Sequence, residues 1–142
     1  MAEYIPSALD WVRDQVELYE GSGGTDGTTR KGFPCIIVTH VGGKTGGIRK
    51  IPLIRVPADK GYLLIGSYAG SEKHPVWVHN LRANSDVEIR DLTEVFKMRV
   101  REVGDDPERQ RLWDICVEAF PPYAKYQEKT SRQIPVFLAE PI

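Results

Sequence analysis

Hydrophobic and polar positions change period several times along this 142-residue chain, and each change marks an element. Ala8, Trp11, Val12, Val16 and Tyr19 recur at helical spacing, with Asp10, Arg13, Asp14 and Glu17 opposite them. The spacing predicts an amphipathic helix over residues 7–19, preceded by Pro6 and opened by Ser7 and Asp10 in the manner of a capping box. A glycine-rich loop over 21–29 follows, without apolar anchors. Apolar or alternating runs then predict strands over 33–40, 49–56, 62–68, 86–90, 95–103 and 134–138. The fifth pairs with the fourth as a hairpin around Asp91-Leu92-Thr93. Helices are expected over 75–83, with Pro75 in its first turn, over 107–120, and as a short piece over 123–130 behind Pro121-Pro122. Six strands joined by short connections, with helices only at the periphery, exclude βαβ units. They predict an α+β fold with a mainly antiparallel small barrel or curled sheet.

Composition adds little: 41% hydrophobic and 27% charged residues suit one globular domain over 1–142, with residues 1–29 as its helix and loop. The formal net charge of −1 gives no case for nucleic-acid binding. Charge is unevenly placed, however. Residues 30–60 hold seven basic side chains (Arg30, Lys31, Lys44, Arg49, Lys50, Arg55, Lys60) against the single acid Asp59. That field suits a small polyanion better than a duplex. Two cysteines 81 positions apart, Cys35 and Cys116, make no metal or redox motif, and Cys35 reads as a small core residue. The opening Met-Ala-Glu-Tyr-Ile-Pro lacks the basic and apolar regions of a signal peptide, so a cytoplasmic protein is expected.

Gly43-Lys44-Thr45 after an apolar strand looks like half of a nucleotide-binding P-loop. Val38 stands where the first glycine belongs, and Gly46-Gly47 and Pro52 forbid the helix that must follow. A glycine-rich hairpin tip can still gather amide N–H groups around an anion, with Lys44 as a point charge and Arg49 as a fork. An ordinary hairpin turn is the equal alternative. A second polar loop, Ser67 to Pro75, brings small residues to a strand end, where flat heterocycles commonly bind. Lys73 adds a charge there, and Trp77 and Asn80 lie one helical turn apart. His74 and His79 lack the spacing of a zinc pair on a helix, so no metal is expected. Tyr123 and Tyr126, three apart, share a face if helical, either as core or as the wall of an acceptor pocket where a phenol orients an oxygen and donates a proton. No catalytic triad or carboxylate pair is evident, so an enzyme here would borrow its reactive group from a cofactor.

Three blocks carry a resemblance. They are Thr39 to Gly46 with Arg49 and Pro52-Leu53; Ser67 to Gly70 with Lys73 to Trp77 and Asn80 to Asn84; and Pro121 to Tyr123 with Tyr126-Gln127, Thr130, Arg132 and Ile134 to Phe137. In this order, from about Val16 to Pro141, the chain resembles the actinobacterial deazaflavin-dependent nitroreductase family, which includes deazaflavin-dependent quinone reductases. The resemblance implies a split β-barrel related to flavin-binding folds. It also implies coenzyme F420, an 8-hydroxy-5-deazaflavin with a phosphate and an oligoglutamate tail, as hydride donor to a quinone or nitroaromatic acceptor. By resemblance, Lys44, Thr45 and Arg49 meet the phosphate and oligoglutamate tail, with Gly46 in the same turn and Pro52 also binding the cofactor. Ser67, Ala69, Gly70, Lys73, Pro75, Trp77 and Asn80 surround the ring, and Tyr123 and Tyr126 line the acceptor site. Gly43 and Ser85 depart from the family's habit of Arg or Ala, and of Pro, at those places. An FMN-dependent reductase on the same barrel, and a carrier of deazaflavin or lipid without turnover, are the alternatives. Any membrane contact is expected to be peripheral, and the oligomeric state is left open.

Overall fold

The structure, a computed structural model, describes residues 3–104 and 106–142. Met1 and Ala2 of the opening sextet lie outside the described residues, as does Asp105. Helix α1 spans Asp10–Gly21 and is followed by strands β1 (Thr29–Arg30), β2 (Phe33–Val41), β3 (Ile48–Ile54), β4 (Pro57–Ala58) and β5 (Gly61–Ile65). A 3₁₀ turn at Tyr68–Gly70 leads to α2 (Val76–Ala83). Strands β6 (Asp86–Asp91) and β7 (Glu94–Glu102), helices α3 (Glu108–Ala119) and α4 (Pro122–Lys129), and β8 (Val136–Pro141) complete the order.

Every pairing between named strands is antiparallel, in the order β1-β2-β6-β7-β8-β5-β4, with β3 on β2 beside that path. All six expected strands form, joined by the two-residue strands β1 and β4. The strand expected over 62–68 ends at Ile65, and residues beyond it turn away to make the loop described below. The β6–β7 hairpin closes on Asp91↔Glu94, with Leu92 at φ 57° in the tight turn.

Helix α1 begins three residues later than the capping-box reading placed it. Its N-cap is Leu9, in extended geometry and without a side-chain cap, while Ser7 Oγ accepts from Leu9 N and Asp10 pairs with Arg13. The cause is tertiary. The incoming segment runs along the start of β3, with Ile5 N–H donating to Ile48 O and Ile48 N–H to Glu3 O, which keeps it extended. Val12, Val16 and Tyr19 of the predicted stripe are buried against Cys35 and Ile37, each worth about 1.5–3 kcal/mol of apolar burial. Trp11 is not: it is 42% exposed, with the Arg30 guanidinium 3.6 Å from its ring centre.

Tyr19 is the pin that holds α1 to the sheet. Its buried hydroxyl donates to Cys35 O at 2.9 Å and accepts from Leu92 N at 2.8 Å. Tyr19→Phe leaves both backbone groups without their partner, so it should destabilise the fold by about 1–3 kcal/mol. A lowered urea midpoint at unchanged denaturant slope would register this. Two further clusters fill the sheet's faces. Ile36, Val38, Leu64, Val78, Leu81, Ile89 and Phe137 lie between α2 and the sheet. Leu63, Ile65, Leu112, Cys116, Phe120, Tyr123, Ile134 and Leu138 lie under α3 and α4. Both cysteines are buried, Cys35 as its apolar run predicted, and burial pushes the Cys35 thiol up to about 11.

Candidate functional site

Among the described residues strand β3 pairs with one strand, β2, and the amino-terminal segment forms its backbone bridge to β3 at Ile48. Pro52 lies within it, and a residue without an N–H is tolerated on an edge strand. Beside this edge runs a cavity of about 650 Å³. Side chains alternate along the strand. Arg49, Ile51 and Leu53 stand opposite His40, Val38 and Ile36 on the face packed against α2. Lys50, Pro52 and Ile54 stand opposite Thr39, Ile37 and Cys35 on the α1 face. The cavity wraps the edge, so both sets line it. From Arg49 to Ile54 it follows roughly 17 Å of extended chain.

At the Arg49 end, the β2–β3 turn is built differently from an amide nest. Gly42 N–H donates to Gly47 O, Gly46 N–H to Gly42 O, Gly47 N–H to Thr45 Oγ1, and Gly43 N–H to Asn80 Oδ1 at 2.9 Å. The four glycine amides are therefore committed within the fold, which corrects the expectation that they converge on an anion. Charge at this end comes from side chains. A Cβ on Gly43 would sit 3.3 Å from Ala83 Cβ, so the turn rests closely on α2 and Asn80 fastens it there. Five of the seven basic side chains of residues 30–60, Arg30, Lys31, Lys44, Arg49 and Lys60, have no carboxylate partner among the described residues. Lys50 binds Glu20 and Arg55 binds Asp91.

The middle of the cavity is walled by the loop between β5 and α2. Tyr68 and Ala69 both hold positive φ there, 44° and 52°, a strained pair for residues with a Cβ. Gly70, at φ 79°, meets α4 so closely that a Cβ would lie 2.8 Å from Tyr126 O. What holds this loop is Arg132. Its guanidinium donates to Ser71 O (2.7 Å), Ser67 O (2.7 Å) and Gly66 O (3.1 Å), and to His74 Nδ1 (2.9 Å). Burial pushes Arg132 down from its ordinary value, and the carbonyl oxygens stand in for the carboxylate it lacks. Burial and the neighbouring guanidinium also push His74 down, which keeps its Nδ1 an acceptor.

At the Ile54 end stand Phe120, Tyr123 and Tyr126. The two phenol rings share a face of α4, with centroids 6.3 Å apart, as their spacing predicted. Tyr123 is 5% exposed and burial pushes its phenol upward, so it stays protonated, whereas Tyr126 is half-buried.

Arg49, Pro52, Ser67, Ala69, Pro75, Trp77, Asn80, Tyr123 and Tyr126 thus line one cavity. Lys44, Thr45, Gly46, Gly70 and Lys73 do not reach its wall. Lys44, Thr45 and Gly46 are exposed at the turn tip, Lys73 is exposed on the loop, and Gly70 packs on α4. Arg49 and Pro52 point to opposite faces, an odd spacing on a strand. His40, Tyr68 and Trp11 line the cavity and escaped the sequence reading. Tyr68 sat inside the loop already singled out and His40 inside the first resemblance block, neither with a role of its own, while nothing local distinguished Trp11 from core.

A curled antiparallel sheet with a cleft along the edge strand β3, Arg49 toward one end and two phenols toward the other, defines a protein of the split-barrel class. The comparisons agree. The family model F420H(2)-dependent quinone reductase matches residues 11–141. The F420H(2)-dependent quinone reductase Rv1261c of Mycobacterium tuberculosis is 37% identical over 122 residues, covering 84% of this chain and 82% of its own. A solved F420-H2 dependent reductase, FDR-A, superposes at a TM-score of 0.70 with 42% identity, covering 75% of this chain and 94% of the other. A structure described as a domain-swapped dimer gives a TM-score of 0.73 with 41% identity, over 94% and 100% of the two chains. This chain belongs to the F420H(2)-dependent quinone reductase family, with its split-barrel fold. It is an oxidoreductase with F420 as its cofactor and a quinone as its acceptor, and FMN finds no support. No helix among the described residues is long and apolar enough to cross a membrane.

Proposed function

We propose that the cavity along β3 is the site of this reaction, with the anionic tail of F420 at the Arg49 end and the quinone at the tyrosine end. The observation that carries the reading is that one cavity runs the length of β3 from Arg49, beside Asn80, to the phenols of Tyr123 and Tyr126, with Arg30 and Lys31 on its wall toward the phenol end. The residues fit such a cofactor. Trp77, Pro75, Ile51 and Leu53 offer an apolar slot for a flat ring, and Arg49 beside Asn80 offers fork and amide donors for an anion. Lys44, exposed above Arg49, adds a screened charge.

When bound, reduced F420 supplies a hydride. The chain's own work is placement and proton supply. Arg49 holds the tail, and the Asn80–Gly43 bond keeps the turn against α2. Arg132 holds Ser67 and Ala69 in the wall, and the apolar residues exclude water. Tyr126 directs its phenol at a quinone oxygen and donates the proton that, with the hydride, completes the hydroquinone. Its partial exposure lets solvent restore that proton. Tyr123, held protonated, orients the acceptor. Residues 1–142 act as one domain on this reading. Contact with a membrane is peripheral, supported by exposed Leu9, Trp11 and Val76 beside Arg30 and Lys31 at the cavity mouth.

Fluorescence titration with oxidised F420 and with FMN, followed by turnover of reduced F420 with a menaquinone analogue and a nitroaromatic, tests the reading. F420 is expected to bind in preference to FMN and to be oxidised by the quinone. Preferential FMN binding, or tight F420 binding without acceptor-dependent oxidation, would overturn it. Arg49→Ala should weaken F420 binding by roughly 10–100-fold, the worth of charged hydrogen bonds. Lys44→Ala should cost about tenfold or less, fading at high salt because Lys44 is exposed.

A further inference from the structure

Strand β2 carries one titratable side chain on the face packed against α2. That residue, His40, is 4% exposed, lines the cavity and pairs with Arg49 across β2 and β3. Its Nδ1 lies 3.3 Å from Val38 O. A carbonyl only accepts, so in the neutral ring Nδ1 carries the hydrogen and Nε2 keeps a bare lone pair. Nε2 has no hydrogen-bond partner among the described residues. No side-chain polar atom among them is both shut away from solvent and unpartnered, so Nε2 opens on the cavity. Burial pushes the imidazole down to about 4, with the Val38 carbonyl opposing and Arg49 adding to the fall. A neutral acceptor beside a guanidinium, at the end of the cavity assigned to an anion, is half of a binding site.

We propose that His40 binds the anionic group of the cofactor together with Arg49, and takes up a proton at Nε2 as it does so. This rests on the F420 reading above. An anion between the two side chains offsets the field of Arg49 and supplies an opposite charge at hydrogen-bond range. At about 4 Å and an effective dielectric near 20, that interaction is large enough to raise the imidazole back toward the neutral range. Protonation turns Nε2 from an acceptor into a donor, which an anion needs. Other charges around His40 do not compete. Glu88 of β6 and Lys50 of β3 stand opposite Thr39, hence on the other face, and Lys50 is held by Glu20. On α2, Asn80 is uncharged, His79 is exposed and Arg82 is tied to Glu102. Lys44 is exposed on the turn.

The test is calorimetric titration of the whole protein with oxidised F420 at about pH 6, in buffers of different ionisation enthalpy. Net uptake of roughly half a proton or more is expected for the unaltered protein. It should be lost in His40→Gln, with affinity about tenfold lower at pH 6 and converging on the unaltered protein's toward pH 8. The deazaflavin–ribityl fragment without phosphate and glutamates should bind with no uptake. The nitrogen resonances of the His40 ring, followed in the unaltered protein as F420 is added, should move to the imidazolium position. Those resonances decide the matter if His40→Gln fails to fold. F420 binding without proton uptake, uptake that survives in folded His40→Gln, or equal uptake with the phosphate-free fragment would each overturn the proposal. Absence of any F420 binding would instead remove the cofactor reading, and this proposal with it.

Discussion

Arg132→Ala is expected to lower stability by about 2–4 kcal/mol and to weaken F420 binding at least tenfold. The guanidinium donates to three backbone carbonyls and one imidazole, and its removal leaves all four acceptors without that partner in a half-buried place. The loss should appear as a fall in melting temperature on the order of 10 °C for a domain of this size. The effect on binding follows from position. Ser67, Tyr68, Ala69 and Pro75, all on the cavity wall, belong to the loop that Arg132 gathers, and two of them hold positive φ. A strained segment keeps its shape only while its surroundings enforce it. Arg132→Lys should recover little, because one ammonium cannot span acceptors arranged around a planar fork. Full stability and unchanged F420 affinity in Arg132→Ala would show that the loop holds itself.

Tyr126→Phe is expected to reduce quinone turnover about 100-fold while F420 affinity stays within twofold. The phenol stands at the end of the cavity away from Arg49, so its loss should touch the acceptor half of the reaction alone. Tyr123→Phe is the control that assigns the proton. Tyr123 is packed among Phe120, Trp113 and Tyr126 and nearly sealed from solvent, so a proton it gave up would be slow to return. Its variant should raise KM more than it lowers kcat. Were Tyr123→Phe to show the larger fall in kcat, the donor role would move to it.

Much of this site was legible residue by residue. Trp77 and Asn80 at helical spacing, Tyr123 and Tyr126 at the same spacing, and Arg49 just after a glycine turn all reach the cavity. Periodicity says which side chains share a face, and a shared face is most of what a cavity wall requires. The glycine turn was read less well. Its composition suits an anion nest, but Asn80 and the turn's own acceptors take up the glycine amides. Asn80 is 37 positions from Gly43, and no local pattern reports a partner so distant. Arg132 is the same case, lying 58–66 positions from the groups it holds. His40 was left without a role for another reason. It ends an apolar run, where an imidazole reads as core until a cavity is seen to open on it.

By itself the sequence determined the order of elements, the antiparallel class, the family and the set of side chains on each local face. These follow from period, turn chemistry and residue type, which act over a few positions. Only the tertiary structure decided where α1 begins, because the extended segment before it lies on β3. The tertiary structure also decided that both faces of β3 border one cavity, because no strand among the described residues covers its outer edge. Which basic groups stand without a carboxylate, and which tyrosine meets solvent, depend on partners that arrive from far along the chain. Distances of that kind exist only once the sheet has curled.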